Sequence, residues 1–454
     1  MKKARLRRRS FLKAAAATLS VPYAWSSRFV RGQDVNSQIT VAAIGVGGSG
    51  GGFGRGGKVG LKAAELARMI AICDVDEKHA GEYVEKFDGK IAAYKDYREL
   101  LEKEKPDVAV IGTPDHWHTA IAIAAMKAGS DVYCEKPLTL TIDEGKLIRK
   151  VAEETGCVFQ VGSQQRSEND QRFLKAVALA RSGRLGKRLT AYVGIGGGPS
   201  GGPFTPSDPP DHLDWDTWLG QAPEVPYTKE RCHGSFRWWL EYSGGKMTDW
   251  GAHHIDIAQW ALGFENSGPV EVEGTGEFPP HVPEGYDPAE FFAGRLRLPN
   301  GFNTATKFDI NLTYADGNVV NVQPSARGDG GNGILIEGDE GRIFVNRGRL
   351  TGKPIEDLTE ADQRWLDDEV VKLYKGKEPG DHMRNFFECI GDRSRPISDV
   401  WTHHRTMTSC HLCNITLLLG RKLRWDPAAE KFAADPQADA LLSRPQRKGY
   451  EIVA

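Results

Sequence analysis

The most constraining feature of this sequence is a glycine-rich segment that follows a short apolar run. Residues 39–44 read Ile-Thr-Val-Ala-Ala-Ile, which is typical of a buried β-strand, and Gly45-Val-Gly-Gly-Ser-Gly50 follows directly. A strand followed by G-x-G-x-x-G fits a chain that turns sharply and lets its backbone approach a ligand before it enters a helix. Because free N–H groups at a helix N-terminus attract anions, we expect Gly45, Gly47 and Gly50 to bind a dinucleotide pyrophosphate.

The context of these glycines separates a nucleotide loop from a merely flexible one. A second apolar run ends at Asp74, 24 residues beyond Gly50, near the position where a carboxylate binds the ribose 2′-hydroxyl. Further strands are predicted at 107–112, 131–134 and 158–161, with helices at 117–128 and 142–155. This alternation predicts an N-terminal Rossmann domain with a doubly wound parallel sheet. Asp74 would repel a 2′-phosphate, so NAD is favoured over NADP.

Three motifs follow, and two of them lie at predicted strand ends, where open α/β sheets bind ligands. Residues 112–118 read Gly-Thr-Pro-Asp-His-Trp-His, residues 134–137 read Cys-Glu-Lys-Pro, and residues 244–256 contain D-x-x-x-H. Together, over roughly residues 39–425, the chain resembles the Gfo/Idh/MocA oxidoreductases. The resemblance implies that Lys136 points toward nicotinamide and substrate, and that Asp249 and His253 are the catalytic pair.

The resemblance also assigns contacts around these motifs. It implies that Thr113, Pro114 and Glu135 join Lys136 in binding the cofactor. The segment after the fourth strand and the segment after the last Rossmann strand are expected to supply substrate contacts, from Trp117, His118, Gln164 and Arg166. For Gln164 and Arg166 packing between domains is an equal alternative.

The residues of the third motif support the same chemistry without reference to a family. Asp249, His253 and Asp256 are spaced i, i+4, i+7, so on one helix they share a face, while His254 points elsewhere. Oxidation of an alcohol needs a base, histidine titrates near neutrality, and a carboxylate four residues away can orient it. A lysine ammonium can stabilise the alkoxide that develops.

The second half of the chain has a different pattern. Strands predicted at 188–195, 290–298, 302–312 and 333–338 lack regular intervening helices, which favours a C-terminal α+β domain with an open, largely antiparallel sheet. One face of such a sheet would need cover, so we expect a homodimer or homotetramer. Six of the eleven tryptophans lie between Trp215 and Trp260, where they either pack in the core or stack on a carbohydrate.

The N-terminus predicts export. Arg8-Arg9-Ser10-Phe11-Leu12-Lys13 resembles a twin-arginine signal, and the Ala-rich run that follows is too short to span a bilayer. We therefore divide the chain into a signal at 1–34, an NAD-binding domain at 35–162 and a substrate-binding and oligomerisation domain at 163–454. The expected location is the periplasm, or another compartment reached by this pathway.

Composition excludes several other classes. Lysine and arginine number 59 against 61 acidic residues, a net charge of −2, so no basic field is available for nucleic acid. The seven cysteines are an odd number and lie mostly in apolar runs, which argues against a disulfide framework. The spacing of Asp249, His253, His254 and His233 resembles no closed metal site, so no metal is predicted.

These observations predict an exported NAD-dependent oxidoreductase that takes hydride from a secondary hydroxyl of a carbohydrate or polyol. Free NAD is scarce outside the cytoplasm, which leaves a redox-neutral alternative open. In that alternative a sugar enzyme, either a glycosidase or a coupled sugar oxidoreductase, keeps its NAD bound through each cycle. A sugar-binding protein without activity is disfavoured because Lys136, Asp249 and His253 are all present.

Overall fold

We analysed a computed structural model, which describes residues 38–48, 53–327 and 331–453. The predicted signal at 1–34 and the third motif glycine, Gly50, lie outside the described residues. Among the described residues, no helix is both long and apolar enough to cross a membrane.

The first sheet has six parallel strands, as the alternation predicts. Their order is β3-β2-β1-β4-β5-β6, so the direction of winding reverses between β1 and β4. The strands are β1 Thr40–Ile44, β2 Arg68–Cys73, β3 Ala92–Tyr94, β4 Val108–Ile111, β5 Asp131–Cys134 and β6 Phe159–Val161. The helices between them are α1 Arg55–Ala64, α2 Glu77–Glu85, α3 Tyr97–Glu104, α4 His118–Lys127 and α5 Ile142–Thr155. Ligands bind at such a reversal, beyond the carboxyl ends of the strands.

Local sequence explains these elements. All four residues of β4 are buried, as expected for a strand covered by helices on both faces. Helix α5 begins after Thr141, whose hydroxyl accepts the N–H of Glu144, and ends at Gly156 with a left-handed φ of 63°. Its boundaries are those predicted from the sequence.

The second sheet has nine strands in the order β13-β12-β11-β7-β10-β9-β8-β14-β15. Within the part of the chain that the structure describes, β7 and β10 form the one parallel pair of this sheet, so the prediction of an open, largely antiparallel sheet is confirmed. The strands are β7 Thr190–Gly194, β8 Glu271–Glu277, β9 Lys307–Thr313, β10 Val319–Gln323, β11 Gly333–Glu337, β12 Arg342–Val345, β13 Leu350–Thr351, β14 Leu423–Asp426 and β15 Lys431–Phe432.

Helices accompany this sheet. They are α6 Arg172–Arg181, α7 Trp215–Leu219, α8 Lys246–Asp249, α9 Gly251–Ala261, α10 Pro288–Phe292, α11 Lys353–Glu356, α12 Glu360–Leu373, α13 His382–Asp392, α14 Val400–Leu419 and α15 Pro436–Asp439. Helices α9 and α14 cover one face of the sheet. Helix α13 instead packs into the core of the first half, through Met383, Phe386 and Ile390. The hydrophobic core therefore continues across the predicted boundary at 162/163.

One expectation about this half is wrong. The strand predicted at 290–298 is not formed, because Asp287 caps a helix that Pro288 starts, and both residues favour helix initiation. The uncovered face of the sheet is mixed: Tyr192, Leu335 and Phe344 form a small apolar cluster on β7, β11 and β12, whereas β9 contributes polar side chains, and the expected homo-oligomer stays a prediction. Strand β9 points Phe308, Ile310 and Leu312 inward, and its outward positions are the polar side chains Lys307, Asp309, Asn311 and Thr313.

Candidate active site

The glycine loop is closed by backbone contacts that only glycine permits. Gly45 has a φ of +79°, and a Cβ there would lie 2.6 Å from the main-chain nitrogen of Thr113. A Cβ on Gly56, in the first turn of α1, would lie 1.9 Å from the carbonyl oxygen of Gly45. In the G-x-G-x-x-G motif, the third glycine lets the helix pack closely against the strand. Here Gly56 makes that close contact. Helix α1 starts after Gly54 without a side-chain cap, which leaves its first N–H groups for a ligand.

Asp74 lies beside this loop, as predicted. One carboxylate oxygen accepts the main-chain N–H of Val46 at 2.9 Å and of Gly47 at 3.0 Å, and the other accepts that of Asp76 at 3.0 Å. Burial raises the pKa of Asp74, although these three N–H groups oppose the rise. The carboxylate therefore connects the end of β2 to the glycine loop, where a ribose would lie.

The predicted cofactor residues that the structure describes line one cleft, with a volume of about 430 Å³. Its wall includes Gly45, Gly47, Asp74, Thr113, Pro114, Glu135, Lys136 and, among the expected substrate contacts, Trp117. This cleft lies at the reversal of winding. The loop geometry, the uncapped helix and the ribose-side carboxylate all fit an NAD molecule.

Lys136 meets Asp249 at this cleft. Its Nζ lies 2.6 Å from Asp249 Oδ1 and donates to the Asp249 carbonyl oxygen at 2.9 Å, while Arg237 Nε lies 3.4 Å from the same Oδ1. Burial by itself would raise the pKa of Asp249, but Lys136 and Arg237 outweigh it and lower the pKa to about 2. The carboxylate therefore stays ionised at neutral pH.

Glu135 has a partner that the sequence analysis missed. Arg55, in the first turn of α1, donates to Glu135 Oε1 at 3.1 Å, and Gln164 Nε2 donates to the same oxygen at 3.0 Å. Glu135 Oε2 is buried and has no hydrogen-bond partner among the described residues. Gln164 and Arg55 thus hold Glu135 through the same oxygen, and Arg55 adds a positive charge to the cleft wall. The sequence does carry a signal for Arg55, because it is a basic residue at the start of the helix that follows the glycine loop.

His253 does not share a continuous helix with Asp249, contrary to the prediction. Helix α8 ends at Asp249 and α9 begins at Gly251, so Trp250 separates them. His253 Nδ1 is buried and has no hydrogen-bond partner among the described residues, and the carboxylate of Asp249 is taken by Lys136. Burial, followed by the charges of Lys136 and Arg347, lowers the pKa of His253 well below its ordinary value. The imidazole is therefore neutral at neutral pH.

Asp256, the third residue of the i, i+4, i+7 spacing, has a partner of its own away from the Lys136–Asp249 pair. Its carboxylate binds Arg166, with Nε–Oδ2 and Nη2–Oδ1 distances of 2.8 and 2.6 Å, and the pair is buried. Arg166 also donates to the carbonyl oxygen of Ile397 at 3.1 Å. Of the two alternatives for Arg166, these contacts favour packing over a substrate contact, and they lie within the second half of the chain.

Trp117 and His118, which follow β4, differ in their access to the cleft. Trp117 lines the cleft, and its Nε1 donates to the carbonyl oxygen of Trp218 at 3.1 Å. His118 is buried, with Nδ1 2.7 Å from the carbonyl oxygen of Pro137 and Nε2 3.0 Å from that of Thr113. The ring of His118 thus connects the two strand-end motifs, and its nitrogens are engaged by the protein.

Asp115, in the same segment, is a second residue that the sequence analysis missed. It lines the cleft, is only 3% exposed and accepts a short hydrogen bond from the hydroxyl of Ser243. Burial raises the pKa of Asp115 to about 7, although Arg237, Ser243 and Lys136 act against the rise. A carboxyl group that titrates near neutrality therefore stands beside the Lys136–Asp249 pair.

The tryptophan cluster serves mainly the core. Trp239 and Trp260 are buried, Trp215 stacks on Trp218 with ring centroids 4.8 Å apart, and Trp218 also lines the cleft. Of the six, Trp218 is therefore the ring placed to contact a bound molecule in this cleft.

Family models match most of the described chain. The model described as an oxidoreductase family with an NAD-binding Rossmann fold, of the Gfo/Idh/MocA type, matches residues 39–163. The model of the family's C-terminal alpha/beta domain matches residues 202–279 and 303–452.

Curated relatives are distant. Myo-inositol 2-dehydrogenase of Thermotoga maritima is 28% identical over 218 residues, which cover 47% of this chain and 54% of that protein. The matched part of the chain thus spans about half of that relative's length. D-glucoside 3-dehydrogenase of Escherichia coli is 23% identical over 351 residues, which cover 69% of this chain and 88% of that protein.

Solved structures share the fold. The WlbA dehydrogenase of Bordetella pertussis, solved in complex with NADH and UDP-GlcNAcA, superposes with a TM-score of 0.59 at 17% identity, covering 86% of this chain and 98% of that one. Myo-inositol 2-dehydrogenase of Lactobacillus plantarum gives a TM-score of 0.53 at 18% identity, covering 86% and 99%. With both halves matched and the nucleotide cleft in place, the chain belongs to the Gfo/Idh/MocA oxidoreductase family, and residues 39–163 form its NAD-binding Rossmann domain.

Proposed function

We propose that the protein is an NAD-dependent oxidoreductase that removes hydride from a secondary hydroxyl of a carbohydrate or polyol. The observation that carries the proposal is the Lys136–Asp249 pair, which joins the wall of the nucleotide cleft to the second half of the chain. The names of the relatives support the substrate class, since one is an inositol dehydrogenase and another a glucoside dehydrogenase.

The residues of the cleft can perform the proton chemistry. Bound NAD supplies the hydride acceptor. An ammonium has three donors, and Lys136 uses two on the carboxylate and carbonyl oxygens of Asp249. The third can hold the substrate hydroxyl and stabilise the alkoxide that forms as the hydride leaves.

His253 is the proposed base. Its neutral imidazole can accept the hydroxyl proton, and the ion pair of Asp249 with Lys136 keeps the ammonium in place. Asp249 therefore acts by positioning Lys136 and not by orienting His253. The charges of Lys136 and Asp249 both act on the pKa of Asp115: Lys136 lowers it and Asp249 raises it.

The proposal includes export in the folded state, by the twin-arginine segment, and a retained cofactor. Retention is supported by the segment 212–214, which bonds across the end of β2: Glu77 N donates to the His212 carbonyl oxygen at 2.9 Å and Asp214 N to that of Val75 at 3.1 Å. This pairing directly follows Asp74, and its residues Val75 and Leu213 line the cleft, so we expect it to slow the release of a bound nucleotide. It favours the redox-neutral sugar enzyme as the second candidate.

One experiment separates the two candidates. The untagged protein is purified natively, a portion is denatured to identify released nucleotide, and the intact remainder is screened with sugars and polyols for reduced-nicotinamide absorbance. Net reduction of added NAD supports the dehydrogenase. Bound NAD with sugar conversion but no net reduction supports the redox-neutral enzyme. Absence of any nucleotide affinity, or tighter binding of NADP than of NAD by calorimetry, contradicts the proposed cofactor.

A further inference from the structure

Three potential metal ligands from distant parts of the chain meet at the rim of the cleft. Asp76 and His79 belong to the N-terminal turn of α2, and His233 begins a short 3₁₀ helix at 233–238 in the second half. One ligand atom from each lies within 4.8 Å of the others. His79 Nδ1 is 3.6 Å from Asp76 Oδ2, and the rings of His79 and His233 are 5.0 Å apart at 69°.

Asp76 is arranged so that one of its oxygens remains for a ligand. Oδ1 accepts the N–H of Lys78 at 3.0 Å and of His79 at 3.3 Å, and a ring N–H of His212 at 2.9 Å. Oδ2 is left toward His79. A carboxylate held through one oxygen by a helix N-terminus and an outer histidine presents the other in a fixed direction, as metal-binding carboxylates do.

The two histidines are also held in place by the backbone. A Cβ on Gly47 would lie 2.0 Å from His79 Nδ1, so the ring rests against the glycine loop. His233 has a φ of +50°, which is uncommon for a residue other than glycine and is found where a structure over-determines a side chain's position. Within residues 38–48, 53–327 and 331–453, neither ring forms a hydrogen bond, and the approach of His79 to Asp76 at 3.6 Å is too long for one. Two half-buried imidazoles beside a carboxylate oxygen therefore form a set of potential metal ligands.

We propose that Asp76, His79 and His233 bind a zinc ion. Two imidazole nitrogens and one carboxylate oxygen are a ligand set that zinc accepts in a tetrahedral site, and imidazole disfavours magnesium and calcium. Small side-chain rotations would bring ligand atoms at these separations to zinc. Three protein ligands leave a fourth position, which faces the cleft because all three residues line it.

The ion would join the two halves of the protein. Asp76 and His79 follow Asp74 in the Rossmann half, and His233 precedes Arg237, which contacts Asp249 in the second half. A zinc ion here would reinforce the pairing of segment 212–214 with the end of β2. It would therefore raise stability and slow the release of a nucleotide, whatever substrate the enzyme uses.

The test measures metal binding without substrate. The untagged full-length protein is stripped with a chelator and titrated with zinc chloride by calorimetry, and the metal content of natively purified protein is measured by mass spectrometry. We expect one zinc per chain, and a rise in melting temperature on adding zinc. His79→Ala and His233→Ala should lose the site, and each variant's fold is checked by circular dichroism.

Three further variants make the result specific. Asp76→Asn keeps the helix cap but removes the anionic ligand, so it should lose zinc without losing α2. His212→Ala should weaken zinc binding by about 10-fold to 100-fold, the range for an outer partner of a ligand. His281→Ala removes a histidine that binds the Phe302 carbonyl oxygen away from this cluster, and should bind zinc like the unmodified protein. No zinc binding by the unmodified protein, or equal binding by all variants, would overturn the proposal.

Discussion

The Lys136–Asp249 and Arg166–Asp256 ion pairs both hold residues 246–261 in place, and they differ in their access to the cleft. The Lys136–Asp249 pair has side chains 12% and 16% exposed and opens on the cleft. In the Arg166–Asp256 pair, whose aspartate lies seven residues after Asp249, the side chains are 3% and 0% exposed. The guanidinium nitrogens of Arg166 donate to Asp256, Ile397 and Thr402. The same charge chemistry thus yields one pair at a cavity and one buried pair that does not line it. Access to the cavity separates a candidate catalytic pair from a structural one.

The largest effect is expected from breaking the buried pair. Arg166→Ala leaves Asp256 buried without its counter-ion, which should lower the free energy of unfolding by about 3–5 kcal/mol. Chemical denaturation monitored by circular dichroism measures this loss. The double variant Arg166→Met/Asp256→Leu should recover much of it, because no uncompensated charge remains. A stable Arg166→Ala protein with a raised KM would instead make Arg166 a substrate residue.

Breaking the Lys136–Asp249 pair should instead lower catalytic activity more than stability. Lys136→Ala removes the donor aimed at the alkoxide, so turnover should fall about 100-fold to 1,000-fold. Steady-state kinetics measures the loss, and denaturation should show a much smaller change than for Arg166→Ala. Lys246→Ala is the control, since this lysine lies over the ring of Trp238 and should retain most activity. If Lys136→Ala lost folding stability but kept its turnover per folded molecule, the Lys136–Asp249 pair would be structural and not catalytic.

Two adjacent histidines refine the assignment of the base. His253→Ala should lower turnover about 100-fold if its neutral ring is the base. His254 lies 2.7 Å from Asn332 Oδ1, so His254→Ala should cost far less turnover. Nucleotide binding, measured by calorimetry, should survive in both variants because Gly47 and Asp74 are untouched. Inactivity of His254→Ala with an active His253→Ala would move the site to the other ring.

The last prediction concerns pH. Asp115 has a folded pKa of about 7 against an ordinary value of 3.8, so between these pH values the folded protein holds a proton that the unfolded chain has released. This group therefore lowers stability as pH rises toward 7. Asp115→Asn should remove that fall, which melting curves between about pH 5 and pH 8 would measure. An unchanged slope would show that Asp115 is already ionised at low pH.

Much of the fold could be predicted because its signals are local. The strand before Gly45, the position of Asp74 and the helix at 142–155 each depend on residues close in sequence, and the structure contains them as expected. The break at Trp250 could not be predicted, since the i, i+4 spacing of Asp249 and His253 fits a continuous helix equally well. The resemblance to a known family, and not periodicity, is what singled out Lys136.

The sequence by itself determined the parallel sheet, the nucleotide loop and the candidate residues Lys136, Asp249 and His253. Only the tertiary structure decided which charges meet. It paired Asp256 with Arg166, placed Arg55 on Glu135, and brought His233 to Asp76 and His79 across more than 150 residues of chain. The physical reason is that backbone patterns are set by neighbours within a few residues, whereas charge partners, burial and pKa depend on contacts made when distant segments pack.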